Sequence, residues 1–385
     1  MFTVLAERTS VNPGRVILTA GTLIRLTLVV ACVTVAGTSP RAQSRTGDPV
    51  KLGQEGVTAI EERRFGDALD AFTQAAKLSP RDPSLAMGAG VAAFRLGQNE
   101  VAEQWFGQAL KLDPAYTPAS EWLGELQHRL GRVKEAISTY EAALKRAPQA
   151  TDLEERLADW RKEASLQDRF YESRGAHFSV LFEGPSDESL ARRIVERLES
   201  EYFRVGTALT AYPTKPITVI LYTTEQFRDI TRTPAWTAAA YDGRIHVPIK
   251  GALAMPDQLD RVLSHEFVHA VVAMLGGRNV PVWLNEGLAV VYEDGGVDDA
   301  EQVLKRTTAR PSLAKLHDSF ASLSAADATL AYAFSAHAVQ RMIDLRGPYA
   351  VVALLQDLAR GAQFASAFQQ RLAMRYEDFQ FDVSH

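Results

Sequence analysis

Apolar positions between residues 49 and 150 recur at helical spacing, and the whole pattern repeats every 34 residues. Ala68, Ala102 and Ala136 are in step, as are Phe72, Phe106 and Tyr140, and Ala75, Ala109 and Ala143. Pro80, Pro114 and Pro148 close the phrases AAKLSP, ALKLDP and ALKRAP, and Gly56, Gly90 and Gly124 fall in the first helix of each unit. Gly97 and Gly131 mark the turn within a unit, where Arg63 stands in the first. Small residues let two antiparallel helices approach, an aromatic ring fills the space between them, and proline stops the second helix. Three helix pairs, stacked as an all-α superhelix, are therefore predicted over 49–150. Leu153, Leu157, Trp160 and Ala164 continue as one helical stripe, which predicts a capping helix over about 151–172 within a linker that runs to 176.

From residue 177 the pattern changes. AHFSVLFEGP, beginning at His177, alternates as a strand, and ITVILYT is rich in β-branched residues. Between them a helix is expected over about 186–209, with Leu190, Ile194, Leu198 and Phe203 on one side. EQFRDIT reads as a short helix and AAAYDGRIHVPI as a hairpin turning at Asp242-Gly243. The strand over 244–249 is a candidate for pairing with an extended substrate. A helix follows from Pro256 to Leu275, stopped by Gly276-Gly277. It is apolar all round and so must be buried. A short GGRNVP loop leads to a second apolar helix. In the remaining chain Leu354, Leu355, Leu358, Phe364 and Phe368 are core candidates in two or three helices, with turns at Gly347-Pro348 and Gly361. The predicted fold is multidomain: the repeat superhelix, then an α+β domain over 177–385 with a small N-terminal sheet and a helical C-terminal half.

A chain of 385 residues with 46% apolar content suits two such domains. The net charge of −5 gives no reason to expect nucleic acid. The one cysteine, Cys32, lies in an apolar run from Leu26 to Gly37 that Arg8, Arg15 and Arg25 precede. Residues 1–42 read as a secretory signal peptide, or alternatively as a retained N-terminal membrane anchor. Either places the folded part outside the cytoplasm, periplasmic or extracellular. With the segment removed no cysteine remains, which excludes thiol catalysis and cysteine-ligated zinc.

Chemistry concentrates in HEFVH, residues 265–269. His265 and His269 are one helical turn apart, so both imidazoles can reach one ion. Glu266 is rotated by about 100° from His265 and can reach a water on that ion without being a ligand. Burying two histidines and a glutamate without partners costs several kcal/mol. A third ligand is needed, and Glu286 in PVWLNEGLAVVYED lies seventeen residues past His269. The connection is short enough to make the two helices neighbours; alternatively Glu286 only favours its own helix N-terminus. His337 reads as structural, and His246 as decoration on an exposed strand, lining of the cleft being the alternative.

Residues 49–150 resemble tetratricopeptide repeats, which implies either a surface for a protein partner or a scaffold. HExxH followed by the glutamate of WLNEG resembles the gluzincin metallopeptidases, and WLNEGLA is similar to the aminopeptidases of that clan. The best overall fit over 177–385 is the peptidase MA-like domain. This resemblance implies a zinc metallopeptidase acting on a peptide or protein, with His265, His269 and Glu286 as ligands and Glu266 as general base. It also implies Tyr332, in AYAFSAHAVQRM, as donor to the oxyanion, a packed tyrosine being the alternative. The gap from His269 to Glu286 is shorter than in the aminopeptidases and no GAMEN-like segment is visible, so the resemblance does not carry exopeptidase specificity. A repeat-based binding protein with a silent peptidase-like domain is the alternative function.

Overall fold

The computed structural model describes residues 47–184, 187–223, 240–248, 256–308, 310–320 and 322–384. The N-terminal segment with Cys32 and the short helix read at EQFRDIT lie outside them.

The repeats form as predicted. Helices α1 (Pro49–Glu61) and α2 (Phe65–Leu78), α3 (Pro83–Arg95) and α4 (Asn99–Leu112), and α5 (Thr117–Arg129) and α6 (Val133–Arg146) make three pairs, closed by α7 (Thr151–Gln167). The periodic glycines have a direct reason. A Cβ at Gly56 would stand 2.7 Å from the Phe72 ring, at Gly90 2.5 Å from Phe106, and at Gly124 2.3 Å from Tyr140. Each aromatic thus fills the space that its glycine leaves, and the in-step alanines are buried beside it. Asp48 and Asp82 cap α1 and α3, accepting from the backbone N–H of Val50 and of Ser84, the second residue of each helix, after its leading proline. Arg63 adopts the same left-handed turn (φ 59°) as Gly97 (φ 78°) and Gly131 (φ 74°).

The second domain opens with β1 (Tyr171–Arg174) and β2 (Phe178–Phe182), then α8 (Glu188–Leu209), β3 (Ile217–Tyr222), β4 (Ala240–Tyr241) and β5 (Ile245–Pro248). Sheet order is β1-β2-β3-β5-β4, with β2, β3 and β5 parallel and the two outer strands antiparallel to their neighbours. Helices α9 (Pro256–Gly276), α10 (Val282–Tyr292), α11 (Gly296–Lys305), α12 (Ala325–Arg346), α13 (Pro348–Ala359), α14 (Phe364–Leu372) and α15 (Tyr376–Ser384) complete it. One core joins the sheet to this bundle. Val180, Val219 and Ile245 of the sheet, Ile194 of α8 and Phe267 of α9 are all buried in it. No described helix is long and apolar enough to cross a membrane.

Four expectations need correction. The helix predicted to reach residue 172 stops at Gln167, and 171–174 is a strand paired with β2. Phe203 is 58% exposed, because the buried stripe of α8 passes through Glu201, Tyr202 and Val205 instead. The strand read over 244–249 is β5, which lies inside the sheet between β3 and β4, so the edge strand at this end is β4. His246 is accordingly not on an exposed strand: it is 2% exposed, its ring stacks with Tyr222, and its Nε2 lies 3.0 Å from Asp242 Oδ1.

The two domains touch along a row of turns. In the first repeat Arg63 pairs with Asp318, and Gly66 packs on the backbone of Arg360 and Gly361. In the second, a Cβ at Gly97 would stand 2.9 Å from Gly277 Cα, and Arg278 N–H donates to Arg95 O at 3.1 Å. In the third, Gly243 packs against Arg129 O, and Arg244 passes Gly131. Arg244 then donates to Glu163 of α7 at 2.6 Å, and Glu163 also lies 2.6 Å from His128 Nε2.

Candidate metal centre

The site is built on two consecutive helices. Helix α9 runs through the core, with Leu263, Phe267, Val268 and Val271 buried on its several faces. Beyond its C-terminus Gly277 turns left-handed (φ 66°), and α10 begins at Val282. Two otherwise orphaned N–H groups at the start of α10 are satisfied from a distant segment: Val282 donates to His317 O (2.9 Å) and Trp283 to Leu316 O (3.0 Å). Trp283 is fully buried and stacks on Tyr376, which anchors that end. Gly287 lets α12 come close, since a Cβ there would meet Ser335 O at 2.4 Å and Val339 at 2.7 Å.

This packing brings the predicted ligands together. Glu286 Oε2 is 3.5 Å from His265 Nε2 and 3.4 Å from His269 Nε2. The two imidazoles stand nearly perpendicular, 4.8 Å between centroids. Separations of 3.4–3.5 Å are long for hydrogen bonds. They match the edge of a tetrahedral zinc site, where ligand atoms about 2.0–2.1 Å from the ion stand about 3.3–3.4 Å apart. His265, Glu266 and His269 also offer ligand atoms within 4.8 Å of one another. Glu286 fits the third ligand better than Glu266, because one of its oxygens is close to both Nε2 atoms.

A second carboxylate orients the first histidine. Glu293, at the C-terminal end of α10, lies 2.9 Å from His265 Nδ1 and also accepts from Arg261 at 2.9 Å. In a neutral ring that bond favours the tautomer with Nδ1–H donating, which leaves Nε2 to face Glu286. On the other side Ser264 Oγ donates to the buried Glu201 at 2.8 Å and ties α9 to α8. Sequence reasoning missed Glu293, Ser264 and Glu201. Glu293 sits seven residues after Glu286, two helical turns on and on the same face.

The electrostatics favour a cation. Burial works to lower the His265 imidazole, but Glu286 and Glu293 outweigh it and raise it to about 10. His269 is also raised, burial again being overcome by Glu286. Burial pushes the Glu286 carboxyl up, yet the two imidazoles hold it well below the usual carboxylate range. Glu266 behaves differently: burial dominates and raises it, against the pull of His269 and His265. It is 6% exposed, and its Oε2 has no hydrogen-bond partner among the described residues. A buried carboxylate oxygen without a partner is costly and suits a group reserved for a water or substrate. The residues present therefore fit a zinc site of two histidines and a glutamate, with a second glutamate beside it.

Tyr332 lies within α12, its ring 6.2 Å from that of His265 and 5.3 Å from Phe320. Burial, then the Glu286 and Glu266 carboxylates, push its phenol well above 10, so it stays a proton donor. His337 is exposed on the same helix, 6.2 Å from Phe334, and takes no part in the cluster.

Residues 201–380 match the Peptidase MA superfamily, and residues 54–117 and 106–151 match the tetratricopeptide repeat. No curated protein matches the chain. Solved structures similar to the repeats include the first TPR domain of human RPAP3, 25% identical, covering 30% of this chain and 92% of that chain with a TM-score of 0.29. The Arabidopsis OM64 TPR domain is 26% identical, covering 30% and 95%, TM-score 0.28. The Sgt2 TPR domain of Aspergillus fumigatus is 24% identical, covering 36% and 92%, TM-score 0.31.

Proposed function

We propose that this protein, which joins tetratricopeptide repeats to a Peptidase MA superfamily domain, is a zinc-dependent peptidase. The observation that carries the proposal is the convergence of His265, His269 and Glu286 beside the buried, unpartnered carboxylate of Glu266. In this reading the first three hold zinc. When bound, zinc supplies a Lewis acid that acidifies water and polarises a carbonyl oxygen. Glu266 takes the proton of the attacking water on its Oε2 and returns it to the departing amine. Its burial supports this role, since a raised carboxyl pKa makes it a stronger base at neutral pH. Glu293 holds the His265 ring in one tautomer throughout. Tyr332 is the candidate donor to the oxyanion that develops as the carbonyl is attacked.

The N-terminal apolar segment supports export of the folded part, which cell fractionation of the full chain tests. The repeats suit a protein partner, chosen by features outside the active site.

Metal analysis and peptide-library cleavage test the enzyme reading. Wild type and Glu266→Gln should each carry about one zinc per chain. Glu266→Gln should cleave about a hundred- to ten-thousandfold more slowly. Metal-free wild type, or equal cleavage by both, overturns the proposal in favour of a repeat-based binding protein with a silent peptidase-like domain.

A further inference from the structure

Two contacts in the row of turns between the domains lead to the start of α10, the helix that carries Glu286. Arg278 lies in the loop that joins α9 to α10. Its Nη1 donates to Phe94 O and to Asn99 Oδ1, both at 2.9 Å, and its guanidinium lies 4.1 Å from the Phe94 ring centroid. Its own N–H donates to Arg95 O. One residue of the ligand loop thus binds one repeat turn through backbone, side chain and ring face. The Gly97–Gly277 approach beside it leaves no room for a side chain on either strand of the contact. A second support of α10 is the segment at Leu316 and His317, whose carbonyls accept from Val282 and Trp283. The next residue, Asp318, pairs with Arg63 of the first repeat. Besides the Trp283–Tyr376 stack, two attachments of the helix start are therefore fastened to the repeat array.

We propose that the repeat array is a working part of the metal centre, and that Arg278, clamped by the second repeat, is the residue that positions Glu286 against the two imidazoles. Loss of the clamp leaves all three ligands in the chain but loosens the start of α10. A carboxylate displaced by a fraction of an ångström cannot keep equal distance to both Nε2 atoms. Arg278 touches neither metal nor substrate; it is a positioning residue. The exposed Arg63–Asp318 pair contributes little by itself, and the more enclosed Arg278 carries the connection.

This inference rests on the zinc reading, and one experiment separates the two. Cobalt(II) is titrated into metal-free full-length wild type, Arg278→Ala, Arg278→Lys and Asn99→Ala. Absorption reports ligand geometry, competition with a chelator reports affinity, and circular dichroism reports folding. Wild type should bind with a tetrahedral spectrum. Arg278→Ala should bind about ten- to a hundredfold more weakly, the size of effect expected when support of a metal ligand is lost, with its spectrum altered. Arg278→Lys should recover part of the affinity. Asn99→Ala removes one acceptor and leaves Phe94 O, so it should fold and show a smaller loss in the same direction. If Arg278→Ala does not fold, Asn99→Ala decides the matter. Folded variants with wild-type affinity and spectrum overturn the positioning role while leaving the zinc site intact. Failure of wild type itself to bind cobalt overturns the zinc reading instead.

Discussion

The imidazole of His265 is held from both sides, with Glu293 at Nδ1 and Glu286 facing Nε2. Removing the outer hold should cost metal affinity without removing a ligand. Glu293→Ala is expected to weaken zinc binding about ten- to a hundredfold in chelator competition. Glu293→Gln should lose less, because its amide oxygen can still accept from Nδ1–H. Equal affinity in all three proteins would make Glu293 a partner of Arg261 alone. Tyr332→Phe keeps the packing against Phe320 and removes the hydroxyl. It should lower kcat about a hundred- to a thousandfold with KM little changed; an unchanged kcat would leave Tyr332 a packing residue. The convergence of His265, His269 and Glu286 was legible in the sequence because two histidines one turn apart share a face and a short loop makes the next helix their neighbour. Glu293 was not, since an acid near a helix end reads equally as a solvated charge. His246 was misread because alternation along one strand says nothing about which strands lie on either side of it.

Helices α10 and α12 cross where Gly287 meets Ser335. The glycine of NEG thus sets how near the helix bearing Tyr332 comes to His265, His269 and Glu286. Gly287→Ala would place a methyl 2.4 Å from a backbone oxygen that cannot rotate away. The expected destabilisation is about 1–3 kcal/mol, the usual cost of overpacking, read by denaturant unfolding, and a stability equal to wild type would show that the crossing can open. At this scale the repeats were the most legible part, because one spacing recurs three times with glycine and aromatic paired in each unit. Strand β1 was not legible. Its sequence YESR is mostly exposed and carries no apolar alternation, so only its backbone pairing with β2 makes it a strand. Phe203 lies one position past Tyr202, which continues the four-residue steps of Leu190, Ile194 and Leu198, and so it turns out of the buried stripe.

Across the whole molecule, the joint between domains contains buried charge. Burial pushes the Glu163 carboxyl up, but His128 and Arg244 outweigh it and hold it at about 2 instead of 4.5. A depressed carboxyl contributes stability in full above its unfolded value and loses it as pH falls through its folded value. The joint should therefore weaken between about pH 4.5 and 2, as Glu163 is protonated. Thermal unfolding across that range should show a steeper acid loss for wild type than for Glu163→Gln; equal slopes would remove Glu163 from the joint's acid response. None of this joint was legible beforehand, because Arg278 meets Asn99, and Arg244 meets Glu163, only after two separately patterned domains are set side by side. The joint also uses the repeats in register, each within-unit turn meeting its own segments of the second domain. A free-standing array can gain or lose a unit by duplication with little penalty, since every unit touches only its neighbours. Here an inserted unit between the second and third would leave the Asp242-Gly243 hairpin facing the wrong turn. The spacing of these three repeats is locked by the second domain, and recombination that inserts or removes a unit among them should yield chains that cannot assemble the joint.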